Sequence, residues 1–111
     1  MKTAMRVVGK VQIIGLSGRL VLGETEGLER AFKGLLADQQ SRILIDLHRV
    51  PYMDSSGIGE VAACKKRAKE KQVTLKLLKK RSQYDLSVEF MLDLMYPGEI
   101  FEDEREALAS F

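Results

Sequence analysis

The feature that most restricts the fold is the run Ile43-Leu44-Ile45-Asp46-Leu47, apolar at nearly every position and followed by Pro51 and a helix start. A strand with one wet face alternates apolar and polar residues, so a run that does not alternate reads as a strand covered on both faces. Such a strand belongs inside a sheet, and the continuity predicts parallel neighbours reached by crossover helices. Pro51 ends the run. Asp54 then stands at the N-cap of a helical segment through Cys64, its carboxylate able to accept from the free N–H groups of the first turn. Ser55 and Ser56 occupy that turn at the positive end of the helix dipole, and Gly57 and Gly59 permit close packing beneath.

The remaining elements follow from periodicity. Residues 5–8 and 11–17 are strand-like, with Gly9-Lys10 as a tight turn. Leu28, Ala31, Phe32, Leu35 and Leu36 recur at helical spacing, which predicts an amphipathic helix over 25–38 with Glu26, Glu29, Arg30 and Lys33 on its wet side. The motif helix spans 55–71, burying Gly57, Val61, Cys64 and Ala68, and a strand covers 73–78. From 82 to 96 the pattern fits two templates: Tyr84, Leu86, Val88, Phe90, Leu92 and Leu94 alternate, while Val88, Met91, Leu92 and Met95 suit a helix. Ile100-Phe101 reads as a short edge strand and 103–109 as a closing helix.

Met53-Asp54-Ser55-Ser56-Gly57-Ile58-Gly59 resembles the phosphorylation loop of STAS domains, specifically that of bacterial anti-sigma factor antagonists. The resemblance extends over nearly the whole chain and implies a single STAS-like α/β domain over 1–111. Its expected order is β-β-α-β-α-β-α-(β)-α, a mixed four- to five-stranded sheet with about four helices, and it places a helix at 82–92. It implies Ser55 as the phosphoacceptor, with Met53, Asp54, Ser56, Gly57, Ile58 and Gly59 forming the loop that meets the partner. Arg19, Val21 and Glu24, in the neighbouring loop, are further contact candidates. Antagonists often carry Gly-Glu-Leu-Asp at the end of the second strand; here the matching residues are Gly18, Arg19, Leu20 and Val21, so the acidic position is apolar. The function implied is a protein–protein switch. The unphosphorylated form binds an anti-sigma factor serine kinase, phosphorylation at Ser55 weakens that complex, and a serine phosphatase resets it. Two other readings share the fold: a scaffold of a stress-sensing assembly, and a STAS accessory subunit of a transporter, for example one moving lipid.

Other classes lack their residues. A net charge of +2 gives no case for nucleic acid or a membrane surface, and no apolar run approaches the roughly 20 residues of a membrane span. The N-terminal residues lack the pattern of a signal peptide, and one cysteine permits no internal disulfide; both predict a cytoplasmic protein. One Cys and one His cannot make a zinc site, so no metal or cofactor is expected, and Cys64 reads as a core residue. Asp46, His48 and Ser55 suggest a hydrolase, but no G-x-S-x-G elbow is present. The phosphate-binding glycine motifs are absent, and ATP would belong to the partner; the chain is read as no enzyme. Lys65-Lys66-Arg67 and Lys79-Lys80-Arg81 read as solvated surface, with docking of an acidic partner as the alternative.

Overall fold

A computed structural model describes residues 1–111. Strands β1 (Lys2–Val8) and β2 (Val11–Ser17) form an antiparallel hairpin paired from Lys2–Ser17 to Val8–Val11. Gly9 makes its turn at φ +60°, where a side chain would be strained. The chain crosses through α1 (Glu26–Ala37) to β3 (Arg42–Arg49), then through α2 (Ser55–Glu70) to β4 (Thr74–Leu78). Helix α3 (Leu86–Met95) leads to the short β5 (Ile100–Phe101), and α4 (Glu104–Ala109) closes the order. The sheet runs β1-β2-β3-β4-β5, with every pair after the first parallel. The expected order and mixed sheet are the observed ones, with the fifth strand formed.

The unbroken apolar run of β3 now has its reason. Ile43, Ile45 and Leu47 face the core under α1, α2 and α3, among Phe32, Val61 and Leu92. Leu44 points the other way, to a smaller core with Ile13, Leu78 and Ala107 of α4. Asp46 and His48 follow Leu44 onto that second face, where both are only half-buried. There the Asp46 carboxylate accepts from the His48 backbone N–H at 2.9 Å and lies 3.1 Å from its Nδ1.

Two elements differ from expectation by more than two residues. Strand β1 begins at Lys2 instead of 5, because the whole hairpin pairs; exposed along its length, it carries no burial pattern to read. Helix α3 occupies 86–95 instead of 82–92. Asp85 caps it, accepting from the Val88 N–H at 3.0 Å, and the preceding residues anchor the end of β3. Gln83 donates through Nε2 to the Leu47 and Val50 carbonyls at 2.7 and 2.8 Å, and the Tyr84 hydroxyl donates to the Val50 carbonyl at 2.7 Å. No helix is long and apolar enough to cross a membrane.

Candidate functional site: a serine on a clamped double loop

The loops leaving β2 and β3 lie side by side at the mouth of α2. Leu20 and Met53 form an isolated parallel bridge, in which the Leu20 N–H donates to the Tyr52 carbonyl at 3.0 Å and the Asp54 N–H to the Leu20 carbonyl at 3.3 Å. Upstream, the Gly18 N–H donates to the Arg49 carbonyl at 3.0 Å. On the outside, the Arg19 guanidinium sits over the Tyr52 ring, 5.1 Å from its centroid, a cation–π contact that also spans the loops.

Asp54 ties this arrangement together. One carboxylate oxygen accepts from the Gly57 N–H at 3.0 Å, capping α2; the other accepts from the Leu22 N–H in the neighbouring loop, also at 3.0 Å. The Leu22 bond first, and the Gly57 bond second, hold its carboxyl below the usual aspartate range. A folded pKa lowered in this way contributes stability that is complete above the unfolded value of about 3.9 and is lost as pH falls through the folded one. Asp54→Ala should therefore lower Tm at neutral pH, and the loss should shrink on acidification below about pH 4, where the wild-type carboxylate also protonates. Thermal melts of both proteins across that range check this.

Gly57 is buried where the β2 loop crosses the helix, and a Cβ there would lie 2.0 Å from the Leu20 carbonyl oxygen. Gly59 is different: exposed and facing open space, it is not the packing residue the sequence suggested. Met53 is buried in the main core, and Ile58 packs against it. Ser55 is exposed, and its hydroxyl makes no hydrogen bond within the chain. Ser56, half-buried, was expected to bond nearby backbone; its hydroxyl makes no such bond, because Asp54 already supplies the acceptor at this helix start. Val21 is half-buried, and Glu24 closes a turn back to the Val21 carbonyl at 2.8 Å while its carboxylate lies 3.4 Å from the Met1 amino group.

The structure thus brings Arg19, Asp54 and Ser55 to one surface, over the buried Gly57, and keeps Asp46 and His48 off it. The latter two lie on the α4 face of β3, whereas Ser55 opens a helix on the opposite face. The hydrolase grouping is not assembled. No group of three or more His, Cys, Asp or Glu side chains is placed to hold a metal ion. Cys64 is buried, and burial chiefly pushes its thiol well above the usual range, which leaves it an inert core residue. Sequence reasoning places Leu22 and Tyr52 within the contact loops 19–25 and 51–57 but singles out neither: the contribution of Leu22 is a backbone N–H without side-chain signature, and the Arg19 contact of Tyr52 joins two separate loops. The basic clusters are largely tied in ion pairs: Lys65 to Glu99, Arg67 to Glu60 and Glu29, Lys79 to Glu89 and Arg81 to Glu102.

The family model described as "Mlab, STAS domain" matches residues 3–91. An anti-sigma factor antagonist from Mycobacterium paratuberculosis is similar at a TM-score of 0.83 and 20% identity, over 98% of this chain and 92% of that one. The Bacillus cell fate determinant SpoIIAA in its phosphorylated form is similar at a TM-score of 0.75 and 18% identity, over 98% of each chain. A sulfate transporter family protein from Wolinella succinogenes gives 0.71 and 20%, over 95% of this chain and 88% of that one. No curated protein sequence matches significantly.

Proposed function

The chain belongs to the STAS-domain family, and from that premise we propose that it is a non-enzymatic, cytoplasmic protein–protein switch of the anti-sigma factor antagonist kind, acting as a single domain with Ser55 as its phosphoacceptor. The observation that carries this reading is an exposed serine hydroxyl, unpartnered within the chain, on a loop whose shape Asp54 fixes from two sides. Phosphoryl transfer would form a bond between Ser55 Oγ and the terminal phosphorus of ATP, release ADP and pass the hydroxyl proton to the kinase, so the chain need supply only a presented nucleophile. The product adds about −1.5 to −2 charges, which the α2 N-terminus favours and the ionised Asp54 opposes. The fold survives, because both Asp54 bonds are to backbone, while a partner surface shaped around a neutral serine is repelled. A serine phosphatase would restore the binding form. Arg19, Val21, Glu24 and the accessible residues of the loop, Asp54, Ser55, Ser56, Ile58 and Gly59, are the proposed contact surface, with Met53 and Gly57 buried beneath it as its support.

The test is intact mass after incubation with ATP and an anti-sigma factor serine kinase. One added phosphate, lost in Ser55→Ala and kept in Ser56→Ala, is the expected result. No added mass with a kinase that modifies another antagonist would overturn the assignment. A second reading, an accessory subunit of a transporter, is favoured by the likeness to the Wolinella protein and by the surroundings of Ser55. Exposed Leu22 and Tyr52 and the apolar Val21 suit a permanent partner better than a cycling one. Co-purification with an ATPase subunit instead of a kinase would decide for it.

A further inference from the structure

The second surface left without a role is the outer side of α3. This helix is apolar nearly all round, the pattern of a helix covered on every side. Val88 and Leu92 face the core, yet Leu86, Phe90 and Leu94, spaced i, i+4 and i+8 along the opposite side, are 89, 63 and 65% exposed. Scattered exposed leucines are ordinary; three large side chains in one row, with Met91 beside them, form a contiguous exposed apolar patch of the kind that marks an interaction site.

The surrounding charge says what covers it. Every charged residue from 82 to 104 is acidic, although the chain as a whole is slightly basic. Glu89, Glu99, Glu102 and Glu104 are neutralised by Lys79, Lys65, Arg81 and Arg6. Asp85, Asp93 and Asp103 have no cationic partner, and the first two belong to α3 and its cap. Asp85 adjoins Leu86 at the start of the stripe, and Asp93 lies one turn beyond Glu89, between Phe90 and Leu94 in sequence. An anionic bilayer would be repelled by this rim. A second copy laid antiparallel along the same stripe would bring like-charged rims together.

We propose that the outer face of α3 is a docking surface for an amphipathic helix of a partner protein, one whose apolar stripe is flanked by lysine or arginine. Leu86, Phe90 and Leu94 supply the apolar seat, and Asp85 and Asp93 fix orientation by charge. The inference stands without the phosphorylation reading, since it uses none of the Ser55 loop. The two elements are nevertheless linked, because Gln83 and Tyr84, just ahead of α3, bind the Val50 carbonyl at the root of that loop.

The experiment is a backbone-amide NMR titration of the full chain with two synthetic helical peptides. They share one leucine stripe and differ only in flanks of Lys and Arg or of Glu. The expected result is movement of the amides of 86–95 with the basic peptide, bound at least about ten-fold more tightly than the acidic one. Phe90→Asp, at an exposed position where circular dichroism can confirm folding, should weaken that binding by a similar factor. Ser55→Asp should leave it unchanged, which separates failure here from failure of the switch. Equal binding of both peptides, shifts elsewhere or no binding would overturn the proposal. So would self-association removed by Phe90→Asp, which assigns the face to a second copy. Binding to phosphatidylglycerol vesicles removed by the same change would assign it to a membrane.

Discussion

Gly57→Ala is expected to cost about 3 kcal/mol or more, at or beyond the upper end of ordinary overpacking. The added Cβ would lie 2.0 Å from the Leu20 carbonyl oxygen and 3.0 Å from the Met53 Cβ. Neither neighbour can move freely. Leu20 is fully buried, and its carbonyl accepts the Asp54 N–H at 3.3 Å as part of the bridge between the two loops. Relief requires pushing the β2 loop off α2, which strains that bridge and the Asp54–Leu22 bond together. At roughly 4–8 °C per kcal/mol for a domain near this size, Tm should fall by more than about 10 °C. Gly59→Ala should do the opposite. Its Cβ meets nothing within 4 Å, and replacing a mid-helix glycine should gain about 0.5–1 kcal/mol. Thermal melts of the two variants, two residues apart and opposite in sign, test whether close approach of the loops holds this site. A small loss for Gly57→Ala would show that the β2 loop yields easily.

That contrast marks where the sequence was legible. The order of elements was readable because each carries its own period: two hydrophobic faces on β3, a clean stripe on α1, and Asp54 at the start of α2. The N-cap role of Asp54 was readable for the same reason, being local to the next three residues. Its second bond, to Leu22 N–H, joins residues 32 apart and leaves no mark in either stretch. Gly57 and Gly59 look alike in one dimension and differ only in what crosses above them. The start of α3 was misplaced because Gln83 and Tyr84 suit a helix locally but are engaged by Leu47 and Val50, contacts fixed by the fold. Lys66, Lys80 and Arg81 are exposed as read, whereas Lys65, Arg67 and Lys79 looked solvated because their carboxylate partners lie 10 to 38 positions away or seven along one helix.

The same blindness to distant partners hid the ion pair behind the second large effect. Glu89→Ala is expected to destabilise the protein by about 3–5 kcal/mol, the range for breaking a buried pair from one side. Lys79, 4% exposed, places its ammonium 2.6 Å from a Glu89 oxygen and 3.2 Å from the Lys80 carbonyl. The second Glu89 oxygen accepts from the Tyr84 N–H at 3.1 Å. Removing the carboxylate strands a buried cation and frees the segment that fastens α3 to the root of the Ser55 loop. The pair itself need not be strongly stabilising, since a well-packed apolar replacement of both partners is often neutral. Lys79→Met combined with Glu89→Leu should therefore recover most of the loss, and denaturant melts of the four proteins of this cycle give the coupling. A loss below about 1 kcal/mol for Glu89→Ala alone would mean that Lys79 finds water, as a surface pair would allow. The hold of α3 on the sheet would then fall to Val88, Leu92 and the hydrogen bonds of Gln83 and Tyr84. The two proposed partner surfaces would move more independently than their shared anchor at Val50 implies.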